Sequence, residues 1–464
     1  MDIHGVNTIY FLGIGGIGMS ALARYFMAKG YRVLGYDRTV SPLTLELEKE
    51  GIDVEYGDDC TRVRELNIDT TLVVRTPAVP EEQAQYVYLR ENGFRVMKRA
   101  EVLGWLTLMS KSLCVAGTHG KTTTSTMLAH IMYSAKASCS AFMGGISNNY
   151  NTNLLIDTQS DYVVVEADEY DRSFHHLRPY ISVITSMDPD HLDIYGTEQN
   201  YYDGFAHYAS LVTEALVVKK GLSLDSAVLQ ARLYTYAVEE DADFAAMNVR
   251  YDQSVIVFDF YAQGVVYEGM RLTVPVWVNV ENSVAALAVG YLLGLTEEEL
   301  RHGLETFAGV YRRFNMHINT PRVSYIDDYA HHPEELRASI ESVRRLYPER
   351  RTLVVFQPHL FSRTQDFAQD FAQVLGTADA LLLLPIYPAR ELPIEGVTSD
   401  WLLSLVPHSA CQAQVVEKPQ LVAQVKAIVE QWISNGESCV VMTLGAGDID
   451  RLVQDVKLNL NIYE

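Results

Sequence analysis

Nothing in the 464 residues approaches 18 consecutive apolar positions, so a membrane-spanning helix is not expected. The acidic Asp2 and polar Asn7 ahead of the first strand offer no basic flank for an export signal, and a cytoplasmic location is the expectation. Cysteine is scarce. Cys60, Cys114, Cys139, Cys411 and Cys439 are odd in number, scattered and without CxxC spacing, so neither a disulfide framework nor a zinc site is expected. Positive charge is also in deficit, 37 Lys and Arg against 59 Asp and Glu, for a formal net charge of −22. Such a surface repels phosphate backbones and argues against a nucleic-acid partner, so any anionic ligand must be captured by a local device.

One such device is present. Gly117, Thr118, His119, Gly120, Lys121, Thr122, Thr123 and Thr124 follow directly on the apolar run Leu113 to Ala116. A buried strand, a glycine turn and a helix in that order make a nest of backbone N–H groups for nucleotide phosphates. Lys121 would lie along the β and γ phosphates and the Thr122 hydroxyl would hold Mg²⁺, a hard cation that takes oxygen ligands. ATP use is the expectation. Val115 stands where the common form of this loop has a glycine, so the loop is a shortened version.

The length exceeds what one core usually organises, and the order of elements points to three α/β domains. Thr8 to Leu12 reads as a buried strand, followed by Gly13, Gly15, Gly16 and Gly18 in a GxGxxG arrangement, a helix, and a strand Tyr31 to Tyr36 that ends at the acid Asp37. This is the opening of a Rossmann-like domain over residues 1–109. Residues 110–315 form a second α/β block, with strands at Tyr162 to Val165 and Ile181 to Thr185. Alternation from Asp243 to Trp277 suggests a small antiparallel sheet, followed by a helix from about Glu281 to Leu293. A third block, 316–464, repeats strand and helix, with strands at Val323 to Asp327, Thr352 to Phe356, Ala380 to Leu384 and Ser438 to Thr443.

Chemistry-bearing residues gather at the strand ends, where open α/β sheets place ligands. Glu166, Asp168, Glu169 and Asp171 follow one strand, and Glu166 is the best placed of them to complete a Mg²⁺ shared with Thr122 and phosphate. Asp188, Asp190, His191 and Asp193 follow another and suit a second metal or an imidazole that orients a carboxylate. Of Arg312 and Arg313, one can place a guanidinium on a transferring phosphoryl group while the other is plain surface charge. Asp327, Asp328, His331, His332, Gln357, His359 and Arg363 collect at the strand ends of the third block as substrate-binding groups would.

These motifs together resemble the Mur ligase family, and within it the branch that adds L-alanine. The resemblance spans the chain through Gly13 to Ser20 (GIGGIGMS), Gly117 to Thr124 (GTHGKTTT), Glu166 to Glu169 (EADE) and Asp190 to Asp193 (DHLD). It continues through Asn279 with Asn282, Gly309 to Phe314 (GVYRRF), Asp327 to Pro333 (DDYAHHP), Phe356 to His359 (FQPH), Ser362 to Thr364 (SRT) and Gly445 to Ile449 (GAGDI). The family's own phosphate loop is the short form, which accounts for Val115. The resemblance implies an ATP-dependent, ADP-forming amide ligase that joins L-alanine to UDP-N-acetylmuramate through an acyl phosphate, in peptidoglycan precursor synthesis. A monomer or weak homodimer is the expectation.

By the same resemblance the first domain binds the UDP part through Gly15, Gly16, Ile17, Gly18, Met19 and Ser20, with Asp37 beside them. Gly117 to Thr123 bind the ATP phosphates, with Thr122, Glu166 and His191 on metal. Asn282 lies near adenine, Arg313 near the phosphates and Asp328 near the ribose. His332, His359 and Arg363 face the amino acid and the muramyl group, with His332 the candidate base. The catalytic set is Lys121, His191, Arg313 and His332. Leu360 stands where many of these ligases carry an arginine, and no lysine occurs between His191 and Val218 to bridge metals as a carbamate.

The alternative within the family joins a recycled murein tripeptide to the same nucleotide sugar. A nicotinamide oxidoreductase would use Gly13 to Gly18 with Asp37 but leaves the ATP loop and the third domain without a purpose. A regulator without turnover would have lost Glu166 or His191, and both are present.

Overall fold

The computed structural model describes residues 5–135, 137–189, 192–225, 227, 229–252, 255–389, 391–407 and 412–461. Its first sheet has five parallel strands in the spatial order Asp53–Glu55, Arg32–Tyr36, Thr8–Leu12, Thr71–Arg75, Arg95–Lys98. Thr8–Leu12 is central and buried along its whole length, as its unbroken apolar run requires. Its two neighbours are reached by connections running in opposite directions, so the glycine turn at its end sits at a switch point and leads into the helix Ile17–Ala28.

The second sheet has ten strands: Val265–Leu272, Val255–Ala262, Phe244–Asp252, Arg232–Val238, Ala215–Lys219, Ile181–Ile184, Lys111–Ala116, Tyr162–Glu166, Ser140–Ser147 and Thr152–Leu155. Lys111–Ala116 runs parallel to both neighbours, with Val115 opposite Glu166 and Ala116 opposite Ile184. That register brings three strand ends together around the turn at Gly117.

Two expectations change here. The alternating segment after Asp243, expected as a small antiparallel sheet, is continuous with the central sheet. Arg232–Val238 pairs parallel with Ala215–Lys219 and then with Phe244–Asp252, so the hairpin strands extend the central sheet at its edge. The helix that follows spans Trp277–Leu292, because Pro275 ends the strand pattern and Asn279 turns the chain with N–H bonds to the carbonyls of Val274 and Val276.

The third sheet is ordered Asn315–Asn319, Val323–Asp328, Cys439–Leu444, Arg351–Phe356, Ala380–Leu383, Gln412–Val415. Its strands are parallel except for the first, which is antiparallel to Val323–Asp328.

By internal packing the chain forms two compact units, one of Met1–Asn248, Phe258–Met270 and Glu281–Phe307, the other of Val249–Val257, Arg271–Val280 and Ala308–Glu464. In the first, one apolar core runs beneath both opening sheets. Phe26 stacks on Trp105 with ring centres 6.4 Å apart, and Tyr25 meets Phe142 at 5.3 Å, so the glycine-loop helix is fixed against the central sheet. The core of the second gathers Tyr325, Leu353, Val355, Val441 and Trp432 around the third sheet. Among the described residues no helix is long and apolar enough to cross a membrane.

Candidate active site

Two glycines make the phosphate-loop turn possible. Gly117 has φ +135° and Gly120 φ +79°, backbone that side chains rarely adopt. A Cβ on Gly117 would strike Thr185 Oγ1 and lie 2.8 Å from Ser186 N, so both the conformation and the space demand glycine. The loop is braced from the end of Ile181–Ile184. The Thr118 hydroxyl donates to the Asp188 carbonyl at 2.7 Å and bonds the Tyr201 hydroxyl at 2.8 Å. His119 N–H donates to Ser186 Oγ at 2.9 Å, and the Thr185 hydroxyl donates to the His119 carbonyl. Helix Lys121–Ser134 begins at once, with Lys121, Thr122 and Thr123 half-buried on its first turn. Asn282 clamps this turn: its Oδ1 accepts from the Thr124 hydroxyl at 3.0 Å and lies against Gly120.

Lys121 is fully engaged by protein. Its ammonium donates to the carbonyls of Gly117 (2.7 Å) and Thr118 (3.3 Å) and to Glu169, with Oε2 at 2.7 Å. Burial raises the pKa of Glu169, and the adjacent ammonium opposes that shift. Glu169 is therefore the partner of Lys121 in this structure. Glu166, expected on metal, ends its strand with the carboxylate laid directly on Gly144, where any side chain would displace it. Asp168 accepts from Tyr170 N–H at 3.2 Å, and Asp171 is exposed with φ +51°. His191 and Asp190 lie outside the described residues. Among the described residues no group of three His, Cys, Asp or Glu forms a metal cluster.

In the glycine turn of the first sheet, Asp37 Oδ2 accepts from Gly15 N–H at 2.7 Å and Oδ1 from Thr39 N–H at 3.0 Å. Both oxygens already serve the backbone, which disfavours the ribose contact that a nicotinamide dinucleotide would require. Met19 and Ser20 are buried, the Ser20 hydroxyl donating to the Ile17 carbonyl at 3.0 Å, while Ile17 is exposed. Within the turn, Gly15 N–H is donated to Asp37 and Gly16 N–H to the Gly13 carbonyl at 3.4 Å. Arg99, absent from the sequence reading, lays its guanidinium over Gly18, and a Cβ there would meet it. A cavity of about 130 Å³ is lined by Gly18, Arg99, Asn153, Glu166 and Asp168, and so joins the glycine turn to the carboxylate cluster.

The second unit carries the remaining residues. Arg312 is the structural member of its pair: it is buried, bonds Asp327 at 3.1 Å and donates to the Gly445 carbonyl at 2.6 Å. Arg313 stays partly exposed, its guanidinium 5.0 Å from the Tyr329 ring centre. Asp328 is buried, accepts from the Ser339 hydroxyl and is pushed up to about 6 by burial. Gln357 is buried and ties the Gly445–Ile449 turn, donating to Asp448 at 2.8 Å and accepting from Ile449 N–H at 2.9 Å. It ties the end of the interior strand Arg351–Phe356 to that turn.

His332 caps helix Pro333–Leu346 with its ring against Phe367. His331 and His359 meet edge to face at 5.9 Å, and His359 stacks on Tyr387. Burial lowers the pKa of His331 and takes His359 down to about 4, so both rings are neutral near pH 7. Arg363 sits on the short helix Phe361–Asp366, which starts at Leu360 in a left-handed conformation with φ +70°.

Compared with known proteins, the chain matches three family models in series: "Mur ligase family, catalytic domain" over residues 8–111, "Mur ligase middle domain" over 115–290, and "Mur ligase, glutamate ligase domain" over 312–447. It is 51% identical over 459 residues to the UDP-N-acetylmuramate–L-alanine ligase of Porphyromonas gingivalis, covering 97% of this chain and 98% of that protein. The solved structure of UDP-N-acetylmuramate–alanine ligase from Thermotoga maritima superposes with a TM-score of 0.78 at 27% identity, covering 98% and 100% of the two chains. A murein peptide ligase from Psychrobacter arcticus shares the fold with a TM-score of 0.62 at 22% identity, covering 98% of each chain.

Proposed function

Because the chain belongs to the Mur ligase family, as its three family domains and its full-length relatives establish, we infer that it is the ligase that joins L-alanine to UDP-N-acetylmuramate in peptidoglycan synthesis. ATP is the energy source the family uses. The observation that carries the chemistry is the braced Gly117–Thr123 turn with Lys121 at its helix start and Glu166 on the adjoining strand end.

In this reading the lactyl carboxylate attacks the γ phosphorus of ATP, ADP departs, and the acyl phosphate formed is attacked by the amine of L-alanine with loss of inorganic phosphate. Two anions must approach each other, so catalysis is chiefly charge neutralisation and positioning. Lys121 neutralises the phosphates from the loop, and Arg313 is assigned to the same charge. The Thr122 hydroxyl and the Glu166 carboxylate are hard oxygen donors that suit Mg²⁺, and Gly144 leaves the carboxylate its place. Mg²⁺ held there would neutralise phosphate charge, and His191 is assigned to it as well. The backbone at Gly15 to Ser20, with Arg99 across Gly18, is assigned to the diphosphate of the UDP-sugar. Asn282 and Asp328 are assigned to the adenosine. His359 and Arg363 are assigned to the amino-acid and muramyl side, and His332 to the amine proton.

The test is a substrate panel. ADP should form only when UDP-N-acetylmuramate, Mg²⁺ and an amino acid are all supplied, with L-alanine preferred to glycine or to a murein tripeptide. Equal or better turnover with the tripeptide would move the assignment to the recycling ligase. A nicotinamide cofactor should neither bind nor alter the rate.

A further inference from the structure

Lys121 has three ammonium protons, and the protein occupies all three. Two go to the carbonyls of Gly117 and Thr118, and the third to Glu169, whose Oε1 and Oε2 lie 2.9 and 2.7 Å from Nζ. The pair is deeply set, with the lysine side chain 14% and the glutamate side chain 2% exposed. A nucleotide phosphate can gain a proton from this ammonium only if one partner gives way. The carbonyls cannot, because Gly117 and Thr118 are pinned by Thr185, Ser186 and Asp188. The carboxylate can, because it is the end of a flexible side chain and because a phosphate beside it adds like charge.

The chain around Glu169 is arranged to keep the backbone still while the side chain exchanges. Its carbonyl accepts from the Tyr195 hydroxyl at 2.7 Å and from Arg172 N–H at 3.0 Å. The turn that follows holds two successive non-glycine residues in the left-handed region, Asp171 at φ +51° and Arg172 at φ +55°, with the Arg172 guanidinium 5.2 Å from the Tyr195 ring centre.

We propose that Glu169 occupies the place of a nucleotide phosphate on Lys121. It is a positioning residue that ATP must displace and that recaptures the lysine as ADP leaves, so its charge sets how tightly the loop holds nucleotide. The proposal rests on reading Gly117–Thr123 as the nucleotide loop.

The test is a double-mutant cycle on nucleotide affinity, measured by calorimetry with ADP and with a non-hydrolysable ATP analogue in the presence of Mg²⁺. Glu169→Gln keeps the shape and the backbone bonds but removes the competing charge. It should tighten both ligands by roughly tenfold, the factor expected when an ion pair populated about nine-tenths of the time withholds the lysine. In a Lys121→Ala background the same change should tighten binding far less, leaving only the relief of like charge between carboxylate and phosphate, because the residue it competes for is gone. A purely structural role would lower the melting temperature without this lysine-dependent gain. If Glu169→Gln does not fold, Glu169→Asp, whose shorter side chain withdraws from Nζ, should give the same direction. Unchanged or weaker binding in a folded variant, with the wild type binding normally, would overturn this inference alone. A wild type that binds no nucleotide would overturn the reading of the loop and this inference with it.

Discussion

A substitution at Gly144 should separate the role proposed for Glu166 from the stability of the fold. It lies in the strand Ser140–Ser147, and a Cβ built there falls 2.6 Å from Glu166 Oε1 and closer still to Oε2 and Cδ. Ordinary contact needs about 3.5 Å, so in Gly144→Ala the carboxylate must retreat by at least roughly 1 Å. The obstacle is the far end of a flexible side chain and the backbone at Gly144 is outside the left-handed region, so the fold should absorb the change. Melting should shift by no more than about 2 °C, as expected for a change worth under 1 kcal/mol in a chain this large. Turnover should suffer far more. A displacement of about 1 Å in a charge-positioning group costs about 100-fold in kcat, equivalent to about 2.7 kcal/mol of lost transition-state stabilisation. The assay is coupled ADP formation with saturating UDP-N-acetylmuramate and L-alanine, and the binding of UDP-N-acetylmuramate should be followed alongside. Full activity in Gly144→Ala would refute the role given to Glu166. Loss of the folded state would refute the claim that only its carboxylate stands in the way.

The tandem arginines should part company. Arg312→Ala strands the buried Asp327 carboxylate and should destabilise the protein by about 3 to 5 kcal/mol in urea unfolding, whereas Arg313→Ala should melt normally and lose at least about 100-fold in kcat. Acid should act through His130, whose ring is bonded to the Tyr150 hydroxyl at 2.8 Å and the Thr306 hydroxyl at 2.9 Å and is held by burial at about 4 against an ordinary 6.5. The unfolded chain takes up the proton first, so this contribution is intact above about pH 6.5 and is lost as pH falls toward 4, by up to about 3 kcal/mol. In His130→Gln the drop in urea midpoint between pH 7 and pH 5 should be smaller than in the wild type, and an equal drop would remove His130 as its source.

The parts of this molecule legible in its sequence are those set by local rules. The buried strand, the glycines at 117 and 120 and the helix beginning at Lys121 are neighbours in the chain, and their positive φ values are what glycine permits. The strand ends carrying Glu166 and Asp328 followed from apolar runs that stop at an acid. What escaped depends on pairing across the fold. Nothing local distinguishes Arg312 from Arg313. One becomes structural only because Asp327 and the Gly445 carbonyl converge on it, 15 and 133 positions away in the chain. Beside Glu166, nothing in the sequence set Glu169 apart until its position 48 residues from Lys121 proved to be a direct contact. Arg99 and Asn153 reach the glycine turn from distant elements in the same way. Gly144 did leave a signal, since a glycine inside a strand marks a close approach, but only the structure shows what approaches. That the alternating strands after Asp243 continue the central sheet was not legible, because alternation reports one exposed face and is silent on which neighbour a strand pairs with.

The central claim is that this chain activates the lactyl carboxylate of UDP-N-acetylmuramate as an acyl phosphate before L-alanine attacks. The most direct measurement uses UDP-N-acetylmuramate labelled with oxygen-18 in that carboxylate, with unlabelled ATP, L-alanine and the wild-type protein. Mass analysis of the inorganic phosphate should find a single labelled oxygen per molecule, carried over as the acyl phosphate breaks. Unlabelled phosphate released in step with amide product would contradict the account.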